Sequence, residues 1–154
     1  MIDTPKIVET KAVPTAAVHI TVPRDQIRTV MGPGLKEVKD ALKAQGIEPA
    51  GPWLTRHHRM DPGVFDFDIM VPVTRPVAPT GRVQPSELPA ATVARTVYHG
   101  GYEGLGGAWP KLDAWIAEQG RTKAPSLWEV YLTDPGENPD PATWQTELNR
   151  PLVG

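Results

Sequence analysis

The sequence predicts an α+β fold. It would be a tandem βαββ repeat with pseudo-twofold symmetry, whose antiparallel sheet carries both helices on one face and a ligand cleft on the other. Three observations point there. Displaced by about 74 residues, the chain matches itself, setting Ala16-Ala17 on Ala90-Ala91, Gly32 on Gly106 and Gln45-Gly46 on Gln119-Gly120. Each half passes from strand-like alternation to helical periodicity and back. The 18 prolines and 14 glycines fall mostly between these segments, where they punctuate a folded chain instead of signalling disorder.

In the first half, residues 16–22 alternate with β-branched side chains as a strand does. Leu35, Val38 and Leu42 then recur at helical spacing until Gly46 ends the run. Two strand-like runs, 52–60 and 64–73, are joined across Asp61-Pro62-Gly63. Residues 76–89 read as the linker between halves. In the second half, residues 90–98 form the strand, and Leu105, Trp109, Leu112 and Ile116 the helical stripe, closed by Gly120. The strands 126–133 and 143–152 follow, joined by a longer loop that begins Asp134-Pro135-Gly136. The segment Gly32-Pro33-Gly34 and Pro110 interrupt the two helical patterns at comparable places, so each helix is expected as a short first turn followed by a main body. The half-repeats span approximately 5–75 and 88–153 of a single domain, 1–154.

Sixteen basic and 18 acidic residues leave a formal charge of -2 with no block of like charge, so nucleic acid is not an expected partner. Without Cys there is no disulfide framework or thiolate chemistry. The charged residues Asp3, Lys6, Glu9 and Lys11 break up the N-terminus, and no apolar run approaches a membrane span. A soluble cytoplasmic protein with no membrane partner is expected; the oligomeric state stays open.

Read by period two, residues 126–133 put Trp128, Val130 and Leu132 on one face and Leu127, Glu129 and Tyr131 on the other. The purely apolar set is expected against a helix, which places Glu129 and Tyr131 on the concave side. A carboxylate there is either an ordinary residue of a wet sheet face or a partly desolvated charge that attracts a cation or a hydrogen-bond donor. Aligned on the Gln-Gly pair, the first-half counterparts of Leu127, Glu129 and Tyr131 are Trp53, Thr55 and His57; aligned on Asp-Pro-Gly, Arg56 stands opposite Glu129 instead. Of the five tryptophans, Trp109 and Trp128 are expected in the core, Trp53 and Trp144 in the cleft, and Trp115 in either.

The four histidines, His19, His57, His58 and His99, show no His-Xaa3-His or Glu-Xaa2-His spacing, and adjacent His57 and His58 point to opposite faces of a strand. Neither a metal site nor a haem or other cofactor is expected. His99 reads as a brace for the turn into the second helix, and His19 as a solvated or satisfied strand residue. No Ser lies in a Gly-Xaa-Ser-Xaa-Gly turn, and the glycines of 100–107 lack the Gly-Lys-Ser/Thr ending of a phosphate loop.

The run Val97-Tyr98-His99-Gly100-Gly101-Tyr102-Glu103-Gly104-Leu105 leads into the Trp109 helix and Gln119-Gly120. The strand Trp128-Glu129-Val130-Tyr131-Leu132-Thr133, ending in Asp134-Pro135, follows. Together with the acidic-apolar strand 66–73, these motifs resemble the GyrI-like family of small-molecule-binding domains over nearly the whole chain. The resemblance implies a tandem βαββ fold whose cleft takes varied cationic or aromatic compounds, as in the effector-binding domains of multidrug-sensing transcription regulators. Glu129 would correspond to the family's central cleft glutamate and Tyr131 to its strand tyrosine, while His57 replaces an aromatic residue common among relatives. Regulators of the family carry a helix-turn-helix domain, and none fits before the first strand here, so DNA is not expected as a direct partner. Three functions follow from the resemblance. The first is binding of xenobiotics. The second is hydrolysis of reactive cyclopropane-bearing alkylating compounds, with Glu129 and Tyr131 as the catalytic pair. The third is a protein-interaction module of gyrase-inhibitor type.

Overall fold

The computed structural model describes residues 2–60, 63–133 and 140–153. Their elements, in chain order, are β1 (Lys6–Glu9), β2 (Val13–Pro23), α1 (Ile27–Ala44), β3 (Leu54–Met60), β4 (Val64–Pro72), β5 (Gln84–Leu88), β6 (Thr92–His99), α2 (Leu105–Glu118), β7 (Thr122–Lys123), β8 (Leu127–Tyr131) and β9 (Gln145–Val153). Every strand pairing among the described residues is antiparallel, giving an α+β fold of nine strands and two helices. Asp61-Pro62 and Asp134-Pro135-Gly136, read from sequence as turns, lie outside the described residues.

The chain forms two compact units, one of residues 11–90 and one of residues 1–10 with 91–154. Within the first, the strands run β3-β4-β2-β5. The register sets Val18 beside Ile69 and Ile20 beside Phe67, so these apolar residues share one face. Val38, Ala41 and Leu42 of α1 pack on that face in one buried cluster. Within the second unit, the order is β1-β6-β9-β8, with β7 added to β9. Here α2 buries Ala108, Leu112 and Ile116 against Ala94 and Tyr98 of β6 and Leu148 of β9.

Both units thus share one plan: the strand before the helix, the last strand and the strand after the helix lie side by side. The outer strand is exchanged. β1 precedes β2 in the chain yet pairs with β6, and β5 precedes β6 yet pairs with β2. The segment 76–89 is therefore more than a linker, since it carries β5. Pro85 is tolerated there because an edge strand has one side free of ladder bonds.

The helices end alike. Gly46 and Gly120 adopt φ of 67° and 70°, a left-handed conformation that costs a glycine little. Beyond them Ile47 N–H donates to Leu42 O at 2.9 Å and Arg121 N–H to Ile116 O at 3.2 Å, the six-to-one bond of a Schellman cap. A short 3-10 turn precedes each helix, Arg24–Gln26 before α1 and Tyr102–Gly104 before α2. The prolines do not mark the junction expected from the sequence. α1 already begins at Ile27, and Pro33 and Pro110 both lie inside continuous helix. Each deletes one backbone donor without ending the helix, because packing of the apolar stripe outweighs one lost bond.

Candidate functional site

The strand β8 is buried on both sides: Leu127 and Trp128 are 2% and 1% exposed. Register decides which side is which. Glu129 stands opposite Leu148 and Tyr131 opposite Thr146, while Trp128 and Val130 stand opposite Asn149 and Glu147. Leu148 belongs to the cluster beneath α2. Glu129, Tyr131 and, by alternation, Leu127 therefore face α2, and Trp128 and Val130 face away. This reverses the expected assignment of the two faces. The physical reason is that an apolar row identifies a covered face but not what covers it, and here both faces are covered.

The reversal brings α2 into the site. Trp109, expected to be core alone, donates its indole Nε1–H to Glu129 Oε2 at 3.2 Å. The Tyr131 hydroxyl donates to Glu129 Oε1 at 3.4 Å. Arg150, buried, lies over the Trp109 ring at 5.3 Å and pairs with Asp113 at 3.3 Å, holding the indole from its other side. Tyr102 extends the aromatic group, its ring 5.8 Å from Tyr131 and 4.9 Å from Trp144.

Tyr102 reaches this position through the turn after β6. Tyr98 O–H donates to Gly101 O at 2.9 Å, and Gly100 N–H donates to Trp144 O at 3.0 Å. A Cβ at Gly104 would collide with the Tyr98 hydroxyl, so only glycine fits there. His99 pairs with Asp3 at 2.9 Å, tying the turn to the N-terminal segment. Thr146 completes the floor; it is fully buried and its Oγ1 has no hydrogen-bond partner among the described residues.

Burial pushes the Glu129 carboxyl above the ordinary carboxylate range, and the hydrogen bonds from Trp109 and Tyr131 pull it down by less. Glu129 nevertheless keeps partial exposure, as do Tyr102 and Trp144. The arrangement is a partly exposed carboxyl bordered by aromatic rings, biased by burial toward its neutral form.

Leu127, Glu129, Tyr131 and Trp144 are thus brought together in the unit that contains residues 91–154. Trp53, Thr55 and His57 belong to residues 11–90 and are described within that unit. Thr55 and His57 stand opposite Ile69 and Phe67, so they too face their helix, contrary to the expected concave placement. Thr55 is fully buried. His57 stacks on Phe67 at 5.1 Å and meets the edge of Phe65 at 5.4 Å. Burial first, then the charges of Arg24 and His58, lower its pKa to about 4. Trp53 packs partly buried against the same core. The Gln-Gly alignment is the one that preserves the facing, since Arg56 pairs with Asp68 on the other side of the sheet. Sequence reasoning missed Trp109 and Tyr102; the available signal was the Gly-Gly-Tyr turn itself, which sets Tyr102 one strand end away from Glu129.

Among the described residues, no helix is long and apolar enough to cross a membrane. No curated protein matches the chain by sequence. Solved structures do match. The C-terminal domain of EcmrR is 21% identical with a TM-score of 0.86, over 97% of each chain. In the EcmrR–DNA complex the identity is 20% and the TM-score 0.85; there this chain covers 97% of its own length and spans 57% of the EcmrR chain. A protein described as a hydrolase from Listeria innocua is 12% identical with a TM-score of 0.68, over 97% of this chain and 91% of its own. SAV2435 bound to tetraphenylphosphonium is 12% identical with a TM-score of 0.69, over 99% and 95%. At these identities the likeness speaks for the fold. A family model described as the GyrI-like small molecule binding domain matches residues 3–152, nearly the whole chain, and the protein belongs to that family.

Proposed function

We propose that the domain binds small organic molecules, largely apolar or cationic and of xenobiotic type, around Glu129. The observation that carries this reading is the half-desolvated carboxyl among Trp109, Tyr131, Tyr102 and Trp144. A buried carboxylate without a counter-charge is costly, so an organic cation is favoured there by charge and by the faces of the surrounding rings. Leu127 and Tyr131 are buried, at 2% and 8% exposure, so the rings that a ligand would meet are the partly exposed Tyr102 and Trp144. In the other unit Trp53 stays partly exposed, while Thr55 and His57 are buried. The fold of SAV2435, similar to this one, is described with a bulky aromatic cation bound, which supports the choice of probe.

Titration with tetraphenylphosphonium, followed by quenching of tryptophan fluorescence and by calorimetry, tests the proposal. Binding is expected to be saturable and to weaken in Glu129→Gln. Weakening must be greater for the cation than for neutral triphenylphosphine oxide; equal losses would remove the charge from the account.

The same carboxyl supports a second reading, hydrolysis of cyclopropane-bearing electrophiles, because a carboxyl that burial holds above the ordinary carboxylate range, beside a phenol hydroxyl, is suited to exchange a proton with a bound molecule. Glu129 in its charged form would take the proton of a water whose oxygen bonds to a cyclopropane carbon as the strained C–C bond to that carbon breaks; the electron pair of the broken bond passes into the electron-withdrawing group conjugated to the ring, where the Tyr131 hydroxyl donates to the developing negative charge. Turnover that Glu129→Gln reduces about a hundredfold, with substrate affinity kept, is the expected sign. A chain that binds such compounds without consuming them is a binder only.

A further inference from the structure

On the sheet face of residues 11–90 opposite α1, three strands bring two imidazoles and two carboxylates together. His19 of β2 and Asp68 of β4 are direct cross-strand partners, as are Thr21 and Asp66. His58 enters from β3, where the register shifts between His57 and Arg59. His19 Nδ1 lies 2.7 Å from Asp68 Oδ1, and His58 Nε2 lies 2.9 Å from Asp68 Oδ2. The other nitrogen of His19, Nε2, lies 2.8 Å from Asp66 Oδ1. The two rings are 5.6 Å apart, and one donor atom from each of His19, His58 and Asp68 falls within 4.8 Å of the others.

We propose that His19, His58 and Asp68 bind a divalent d-block cation such as Zn2+, with Asp66 bracing His19. Two nitrogens and a carboxylate are the donor set that borderline cations prefer, and three protein ligands leave a position for water or a small ligand. Both imidazoles already point at one carboxylate, so the ion would replace the two shared protons. Donor atoms around tetrahedral zinc stand about 3.3 Å apart, so the nitrogen–oxygen contacts of 2.7 and 2.9 Å would open while the wider separations of the set, which reach up to 4.8 Å, would close. The His19 side chain, 55% exposed, has room to do so. Its remaining N–H would donate to Asp66, the arrangement by which a metal-bound histidine is held in one tautomer.

The test uses the full chain without a polyhistidine tag, treated with chelator and exchanged into chelator-free buffer. Titration with Co2+ should give d–d absorption that saturates at one equivalent, and Zn2+ should displace it. His19→Gln and His58→Gln should each weaken binding at least tenfold, and Asp66→Asn by about tenfold. His99→Gln, at the unrelated Asp3 pair, should leave affinity unchanged. Circular dichroism of each variant confirms the fold, and a rise in wild-type Tm with Zn2+ that the double variant His19→Gln/His58→Gln lacks gives an independent readout. Absence of saturable binding, or binding that the double variant retains, would show the cluster to be a hydrogen-bonded network alone and overturn the proposal.

Discussion

The strand after each helix occupies the same place in both units and faces its helix in both, yet the two carry opposite chemistry. In residues 11–90 that strand presents Thr55 and His57, fully enclosed, with the imidazole stacked on Phe67. In the other unit it presents Glu129 and Tyr131, with an indole N–H and a phenol turned toward the acid. Burial acts on both ionisable groups in the same sense, toward the neutral form. For the base that means loss of a proton and a lowered pKa; for the acid it means gain of a proton and a raised one. The difference lies in what else is left to do. His57 is closed off by its own core, whereas Glu129 keeps an accessible side and a set of aromatic rims. The same plan has made one half a packing layer and the other the proposed site.

The largest effect expected from this comparison is acid sensitivity centred on His57. Its folded pKa of about 4 lies below the ordinary 6.5, so the neutral imidazole's contribution is complete above 6.5 and is lost as pH falls toward 4. At 1.36 kcal/mol per unit the loss reaches about 3 kcal/mol. His57→Phe, which keeps the stack, should flatten urea-unfolding stability across that window; an unchanged acid slope would show that His57 is not enclosed as described.

Glu129→Gln comes next. Affinity for tetraphenylphosphonium should fall by about 1–3 kcal/mol, read by calorimetry. Stability should change with the opposite pH sense from His57. A raised carboxyl pKa favours the fold at low pH, and that advantage fades as pH rises above the ordinary value of 4.5. The glutamine variant should therefore match wild type in acid and exceed it at neutral pH; a variant less stable at neutral pH would mean the charge is compensated in the fold.

A smaller effect is expected for Trp109→Phe, which deletes the shorter hydrogen bond to Glu129 while keeping an aromatic ring. The carboxyl pKa, followed by carbon-detected NMR, should rise further and the site should weaken by about 1 kcal/mol. An unmoved pKa would show that the indole does not hold the acid. Tyr131→Phe, which removes the longer bond at 3.4 Å, should have the smallest consequence, about 0.5 kcal/mol or less, in the same titration.

Much of this organisation was legible beforehand for reasons that can be named. The repeat, the two helical stripes and the Gly46 and Gly120 caps depend on local spacing, and six strands of the two βαββ units appear where alternation put them. The short strands β1, β5 and β7 did not show, because they are edge pieces of mixed, exposed residues whose pairing comes from a neighbour and not from their own pattern. The prolines misled for a related reason: a local penalty of one hydrogen bond was given more weight than the packing of a whole helix.

Glu129 and Tyr131 stood out because a carboxyl between Leu127 and Val130 in a strand is chemically conspicuous, and alternation alone places it on the face of Leu127 and Tyr131. Which face meets α2 was not determined by that alternation, since a strand covered on both sides reads as apolar on both. Only the register of β8 on β9 settled it, and with it the approach of Trp109. The His19, His58 and Asp68 cluster was beyond any spacing rule, because its members come from three strands whose adjacency exists only once β2, β3 and β4 have paired. Sequence periodicity is a property of one segment, and it determined the elements, their caps and their family. Facing, and the convergence of side chains from distant segments, are properties of pairings between segments, and tertiary structure alone decided them.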